Sequence, residues 1–187
     1  MSKLFVQNLT TLDGYLEKGP WGLEWHNVDA DFFAGHEEEI WGNLGAIVYG
    51  RKTYEGMYQY WTSDAGKTND SSKVAEKLLA TQKIVVSSTL KKADWGNTTI
   101  VPDLAGLVKL KEKMGDKNMV VFGSSDLCVS LLEAGMLDEV RQIVNPVLIG
   151  SGKSMFSGLK NMTKLKLLRT RTFKNGNVLL VYEPQKG

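Results

Sequence analysis

The chain is short of the residues that mark specialised protein classes. A single cysteine, Cys128, cannot close an intramolecular disulfide, and with only His26 and His36 beside it no usual zinc ligand set can be assembled. Disulfide scaffolds and structural zinc are thereby excluded. Four prolines and 19 glycines in 187 residues are too few for collagen-like or low-complexity sequence. Long hydrophobic runs are absent: a stretch such as Val178 to Tyr182 is five residues long, against about 20 for a membrane span. The start, Met1-Ser2-Lys3-Leu4-Phe5-Val6, enters a strand-like run with no apolar signal region or cleavage site, which predicts a cytoplasmic protein. What remains is ordinary globular usage, 42% hydrophobic and 24% charged, in a length that suits one domain over residues 1–187 with a full core.

Net charge is small, at +2, but unevenly placed. Residues 1–50 hold two basic and eight acidic side chains, whereas residues 153–187 hold eight basic and one acidic. A basic end is one signature of nucleic-acid binding. Here the cations alternate with apolar residues through Lys164-Leu165-Lys166-Leu167 and continue as Arg169-Thr170-Arg171-Thr172, a period of two that predicts the wet face of a strand and no nucleic-acid partner. Glu37-Glu38-Glu39, spread around a helix, predicts a solvated face.

Apolar runs bounded by turn residues occur at Leu4–Leu9, Ala46–Tyr49, Ile84–Ser87, Thr98–Val101, Met119–Phe122, Glu139–Val144, Lys164–Phe173 and Val178–Tyr182. Helical patterns lie between them at Asp31–Leu44, Thr53–Tyr60, Ser71–Ala80, Leu104–Met114 and Asp126–Ala134. The alternation predicts an α/β fold with a mostly parallel sheet, and the continuous runs at Ala46, Ile84 and Met119 predict its centre. After Gly135 the helical pattern stops. Asn175-Gly176 is a hairpin signal, so an antiparallel C-terminal third is expected. The polar stretch Thr62 to Ser72 is expected to be a surface loop.

Gly150-Ser151-Gly152-Lys153-Ser154 imitates the end of a phosphate-binding P-loop, but Val147 stands where that loop needs glycine and no helix follows. A dinucleotide fingerprint and a nucleophile elbow are also missing. More informative are three strand ends: Gly50-Arg51-Lys52-Thr53, Ser87-Ser88-Thr89 and Gly123-Ser124-Ser125-Asp126. Ligands of open α/β sheets bind at the carboxyl ends of strands. Glycine there permits close backbone approach, and the amides opening the next helix attract anions. Each segment alone reads more readily as a capped helix start; three at one sheet edge point to a ligand carrying several phosphates.

In succession, Val48-Tyr49-Gly50-Arg51-Lys52-Thr53-Tyr54-Glu55, Lys83 to Ser88 and Val120-Val121-Phe122-Gly123-Ser124-Ser125 resemble the NADPH-binding segments of the dihydrofolate reductase fold, three-layer α/β/α with an antiparallel C-terminal hairpin. Thr11-Leu12-Asp13-Gly14-Tyr15 and the stretch from Leu137-Asp138-Glu139-Val140 through Asn145 to Lys153 resemble the branch containing the C-terminal reductase domain of RibD, the bifunctional deaminase-reductase of riboflavin synthesis. The resemblance implies that Gly50, Arg51, Lys52 and Thr53 hold cofactor phosphates, that Ser87, Ser88 and Thr89 lie near the adenosine 2′-phosphate, and that Gly123, Ser124, Ser125, Asp126 and Leu127 line the pyrophosphate and nicotinamide end. Hydroxyls and cations in place of an acidic residue favour NADPH over NADH. Asp126, a carboxylate beside a pyrophosphate, is expected to turn away as a helix cap.

On the substrate side the resemblance implies Asn8, Asp13, Trp25 and Phe33 as binding residues, and a carboxylate, Asp29 or Asp31, as proton donor. Asp29 has two readings, pocket residue or N-cap of a helix that buries Phe33. The loop Lys18 to Trp25 resembles a lid over nicotinamide. The implied function is hydride transfer from NADPH to a small pyrimidine or pterin-like substrate, as in a 5-amino-6-(5-phosphoribosylamino)uracil reductase. The alternatives are a true dihydrofolate reductase and a non-catalytic nucleotide-binding protein of the same fold. The resemblance and the long C-terminal strands also imply a homodimer.

Overall fold

The structure, a computed structural model, describes residues 2–19, 22–64, 66 and 72–185. Its elements run β1 (Leu4–Thr11), β2 (Tyr15–Glu17), α1 (Ala30–Trp41), β3 (Leu44–Gly50), α2 (Arg51–Thr62), α3 (Ser72–Ala80), β4 (Gln82–Val86), β5 (Thr98–Val101), α4 (Leu104–Glu112), β6 (Asn118–Val121), α5 (Ser125–Glu133), β7 (Glu139–Asn145), β8 (Lys153–Ser154), β9 (Leu165–Thr172) and β10 (Val178–Pro184). Eight strands form one sheet in the order β5-β4-β3-β6-β1-β7-β10-β9. From β5 to β7 every neighbour pair is parallel. The expected surface loop at Thr62 to Ser72 falls mostly outside the described residues.

Both faces of the sheet are covered, which is why the central strands read as continuous apolar runs and not as alternation. On one face Leu4, Val6, Val48, Ile84 and Val121 meet Leu107 of α4 and Leu127, Cys128 and Leu131 of α5. On the other, Phe5, Ile47, Tyr49, Val85 and Val120 meet Ile40 of α1, Tyr54 of α2 and Leu78 of α3. A third cluster joins Phe32 of α1 to Ile143, Leu179 and Val181. At about 25 cal/mol per Å² of buried apolar surface, each large side chain fully sequestered this way contributes roughly 2 kcal/mol.

The C-terminal third is less uniformly antiparallel than expected. β7 pairs in parallel with β1, while β10 runs against both β7 and β9. The reversal is made at Gly176, whose φ of 89° suits glycine and whose amide donates to the Phe173 carbonyl. Two short strands escape the pattern altogether: Tyr15 pairs with Ser154 and Glu17 with Lys153. The Gly-Ser-Gly-Lys stretch thus leads into a strand and not a helix.

The acidic start and basic end meet. Arg169 pairs with Glu39, and Arg171 reaches Glu39 at 3.3 Å and Glu38 at 3.5 Å. The solvated face expected for Glu37 to Glu39 is therefore corrected: Glu39 is only 10% exposed, whereas Glu38 is 81% exposed. Burial pushes the Glu39 carboxyl up, but the Arg169 and Arg171 hydrogen bonds and the Arg141 charge outweigh it and hold it below the usual value. One face of β9 does read as the wet surface its period of two implied, and it also leaves Leu165, Leu167 and Leu168 in solvent. Among the described residues no helix is long and apolar enough to cross a membrane.

Candidate active site

The parallel strands end together at one edge of the sheet, and three of the predicted segments converge there. A groove of about 550 Å³ is lined by Gly50, Arg51, Lys52 and Glu55 from β3 and α2, by Val86 and Thr89 after β4, and by Ser124, Asp126, Leu127 and Ser130 from α5. The Gly50 amide donates to the Gly123 carbonyl at 3.3 Å, tying the two loops together. A Cβ built on Gly50 would stand 3.0 Å from Ser124 Oγ, a tight contact that would push the Ser124 side chain aside. The Gly123-Ser124 peptide is cis, and Gly123 has φ 110°.

Two helices open onto the groove. The cap position of α2 is Gly50, so no side chain satisfies its first amides. Those donors, with the positive end of the helix dipole, form an anion site flanked by Arg51 and Lys52. Arg51 bridges the groove: Nη1 donates to Thr89 Oγ1 at 3.0 Å, and Nε is held by Glu55 at 2.8 Å. Both partners of that ion pair are about half exposed, so the pair is weak and its cation remains open to a competing anion. Ser87 Oγ accepts from the Thr89 and Leu90 amides, shaping the turn that presents Thr89.

The cap expected of Asp126 is supplied instead by Ser124, whose Oγ accepts from the Leu127 amide. Asp126 sits in the first turn of α5, exposed, with Lys153 3.4 Å away from its carboxylate. Its negative charge is thus countered by a cation from β8, an element that periodicity did not reveal. Thr53, Ser88, Gly123 and Ser125 do not line the groove, and Ser88 is exposed. Thr53 is the nearest neighbour a Gly123 side chain would meet, and Ser125 is buried with an unpartnered hydroxyl.

The substrate-side residues are less coherent. Asp29 takes the capping role: its Oδ1 accepts from the Phe32 amide at 2.7 Å at the start of α1. Asp31 is exposed and paired with Lys174 of the β9–β10 hairpin at 3.0 Å. Asn8 does not join Phe33. It lies on the opposite face of β1, donating to Cys128 Sγ on α5 at 3.8 Å, while Phe33 packs against the α1 cluster. Burial pushes the Cys128 thiol up to about 12, so it stays protonated.

Asp13 folds over the loop after β7, its Oδ2 accepting from the Gly150 amide at 2.8 Å and the Ile149 amide at 3.2 Å. The Thr11 hydroxyl and these amides hold its carboxyl below the usual value. Trp25 Nε1 donates to the Gly22 carbonyl, and its ring meets His26 edge-on at 4.4 Å. Pro20 and Trp21 of the lid-like loop lie outside the described residues.

An asparagine network that periodicity could not foresee anchors this side. Asn145 accepts from the Asn27 amide at 2.9 Å, Asn177 donates to the Asn27 carbonyl at 2.7 Å, and Asn27 and Asn175 exchange two further bonds. The segment entering α1 is thereby fixed to the end of β7 and to the hairpin. Gln7, between Phe5 and Leu9 on β1, was likewise missed; a polar residue at a position the alternation reserves for the core was its signal.

The arrangement has relatives. Residues 2–179 match the model of the RibD C-terminal domain. YyaP, an uncharacterised protein of Bacillus subtilis strain 168, is 29% identical over 182 residues, covering 96% of this chain and 94% of its own. Among solved structures, a putative riboflavin biosynthesis protein from Shewanella sp. PV-4 superposes with a TM-score of 0.73 at 19% identity, over 98% of this chain and 99% of that one. The Thermotoga maritima diaminohydroxyphosphoribosylaminopyrimidine deaminase/5-amino-6-(5-phosphoribosylamino)uracil reductase gives 0.66 at 17% identity, over 98% of this chain and 57% of the larger protein. The fold is the dihydrofolate-reductase-like one shared by these structures, and the chain belongs to the RibD C-terminal domain family.

Proposed function

We propose that this protein is an NADPH-dependent reductase that passes hydride to a small pyrimidine or pterin-like heterocycle, of the kind handled by 5-amino-6-(5-phosphoribosylamino)uracil reductases. The observation that carries the reading is the groove in which α2 begins without a side-chain cap and Arg51 spans from that helix to Thr89. Uncapped amides, two cations and a hydroxyl suit a dinucleotide with an extra phosphate, and the turn after β4 offers Ser87, Ser88 and Thr89 in place of the carboxylate that would select NADH. The chemistry supplied by the bound cofactor is hydride transfer from its nicotinamide. Arg51 and Lys52 neutralise phosphate charge, Gly50 admits the backbone of the facing loop, and Lys153 offsets the Asp126 carboxylate.

Neither Asp29 nor Asp31 is poised to deliver the accompanying proton, since Asp29 caps the helix and Asp31 pairs with Lys174. Water or the substrate itself supplies it. The same fact favours a second reading, cofactor binding without turnover. A fluorescence titration checks the cofactor: NADPH is expected to bind at least about tenfold tighter than NADH, because one charge-assisted contact is worth about 1.5 to 3 kcal/mol. Equal dissociation constants reject it. NADPH oxidation with a panel of pyrimidinediones and pterins then separates reductase from mere binder. A homodimer belongs to the proposal, because β9 leaves Leu165, Leu167 and Leu168 exposed at the sheet edge; a light-scattering mass near the single-chain 20.8 kDa refutes it.

A further inference from the structure

We propose that Gln7 is the specificity-determining residue on the α1 face, its carboxamide reading a ring edge that presents an N–H donor beside a C=O acceptor, as a lactam does. This rests on the heterocycle reading above. Strand alternation turns Phe5, Gln7 and Leu9 to the face covered by α1 and α2. Phe5 belongs to the cluster under α2 and α3, and Leu9 to the one under α1, while Gln7 belongs to neither. It is 2% exposed, and neither its Nε2 nor its Oε1 has a hydrogen-bond partner.

That double vacancy is unusual for its surroundings. Side-chain amides nearby are spent locally: the part-buried Gln142 donates to Thr10, and the buried Asn145 to the Thr10 and Ile143 carbonyls. Arg141, the register partner of Gln7 on β7, is also spent. Its guanidinium lies 3.6 Å over the Phe5 ring, with Nε on Glu139 and Nη1 on the Glu39 carbonyl. A carboxamide offers two donors and an acceptor with two lone pairs, and leaving all of them unmade in the interior is costly unless something else meets them.

Its place says what that is. Val6 pairs with Val121, the last residue of β6, and Gln7 is the next residue along β1. Beyond Val121 the chain passes through the half-buried Phe122 and Gly123 to Ser124 of the cofactor groove. Gln7 thus stands one step past the register that leads into the groove loop, on the face of β1 that α1 covers, which is the side on which a flat heterocycle facing the cofactor would lie. A carboxylate here would ask its ligand for two donors; a carboxamide asks for one donor and one acceptor, which selects a neutral lactam edge over a protonated amidine. The carboxamide is shielded from water, so a ligand reaches it only as side chains above it turn aside.

The test uses uracil, which carries the lactam edge, and pyrimidine, a smaller ring lacking it, titrated by ligand-observed NMR into the full chain with and without NADP⁺. Wild type is expected to bind uracil at least about tenfold tighter than pyrimidine. Gln7→Met, similar in length and apolar, is expected to weaken uracil about tenfold and leave pyrimidine unchanged. The same variant, ligand-free, is expected to melt about 3 °C higher, because it removes an unpartnered buried amide. A lower melting temperature overturns the proposal by showing that the carboxamide is bonded within the protein. Unchanged uracil affinity in Gln7→Met, or equal loss for both rings, overturns it while leaving the heterocycle reading standing. If wild type binds neither ring yet still binds NADPH, both this assignment and the heterocycle class fall, and the cofactor groove survives.

Discussion

The groove edge of the sheet and its α1 face lie on either side of the same strand ends, and they are built in opposite ways. At the groove edge, the candidate segments follow directly on buried strands: β3 ends at Gly50 and α2 begins at Arg51, while β6 ends at Val121 and α5 begins at Ser125. The α1 face is held together from places far apart in the chain, with Asn27 bonded to Asn145, Asn175 and Asn177, and Asp31 to Lys174. A contiguous site can be read because strand, glycine and helix start follow one another in sequence. A dispersed site depends on which residues the topology brings together.

The sharpest way to break this comparison is Gly123→Val. Gly123 has φ 110°, which L side chains rarely adopt, although an added Cβ would meet nothing closer than Thr53 Oγ1 at 3.4 Å. Strain therefore falls on the backbone that aims Ser124 into the groove, and NADPH affinity is expected to drop at least about 100-fold, with some loss of thermal stability. Gly176→Val is the control. It has a similarly positive φ, 89°, in the β9–β10 hairpin and is expected to lose stability with NADPH affinity unchanged. Equal loss of cofactor binding in both variants would mean that the two regions are not separable.

Acid should act on the α1 side. His26, in the segment entering α1, has its pKa pushed down to about 4 by burial. Between that value and the open-chain 6.5, the folded protein holds fewer protons here than the unfolded chain, so stability falls as pH drops through this window and is untouched by this group above it. Between pH 7 and pH 5 the loss is expected to be about 1 kcal/mol, allowing for the part of the ring that meets solvent. Chemical denaturation at the two pH values measures it, and His26→Gln should flatten the difference. NADPH affinity should follow the same pH profile in wild type and in His26→Gln, set by the cofactor's own 2′-phosphate, whose second pKa is about 6; a profile that changes with the variant would tie the groove to the α1 face.

Much of the fold was legible because the central strands are apolar on both faces and each is followed by a helix. β2 and β8 were not, since two or three residues carry no period and their pairing is fixed by Asp13 holding the Ile149 and Gly150 amides. The direction of β7 was missed because hairpin chemistry at Asn175-Gly176 speaks only for β9 and β10. Glu39 read as solvent-facing because its partners, Arg169 and Arg171, lie 130 and 132 residues away. Within the candidate site, Arg51, Lys52, Thr89 and Ser124 line one groove because each directly follows a strand, whereas Thr53, Ser87, Ser88 and Ser125 do not line it and Ser130, a turn further along α5, carried no signal. Asn8 lies on the α5 face of β1, donating to Cys128, while strand alternation turns Gln7 to the α1 face.

The smallest expected effects concern the two carboxylates, and they sharpen the comparison by testing whether the α1 face supplies chemistry or only position. Asp29→Asn keeps an oxygen for the Phe32 amide, and asparagine caps a helix about as well as aspartate, so stability should hardly move. Asp29→Ala should cost about 1 kcal/mol, the ordinary loss for a missing cap. Asp31→Asn removes an exposed ion pair to Lys174, worth at most a few tenths of a kcal/mol. If both groups are structural, Asp29→Asn and Asp31→Asn keep kcat with the best substrate within about threefold of wild type. A proton donor behaves otherwise, since its removal typically costs about 10² or more. A loss of that size in either variant, with NADPH affinity intact, would make that carboxylate the donor and show that its partner in this structure, the Phe32 amide or Lys174, gives way when substrate binds.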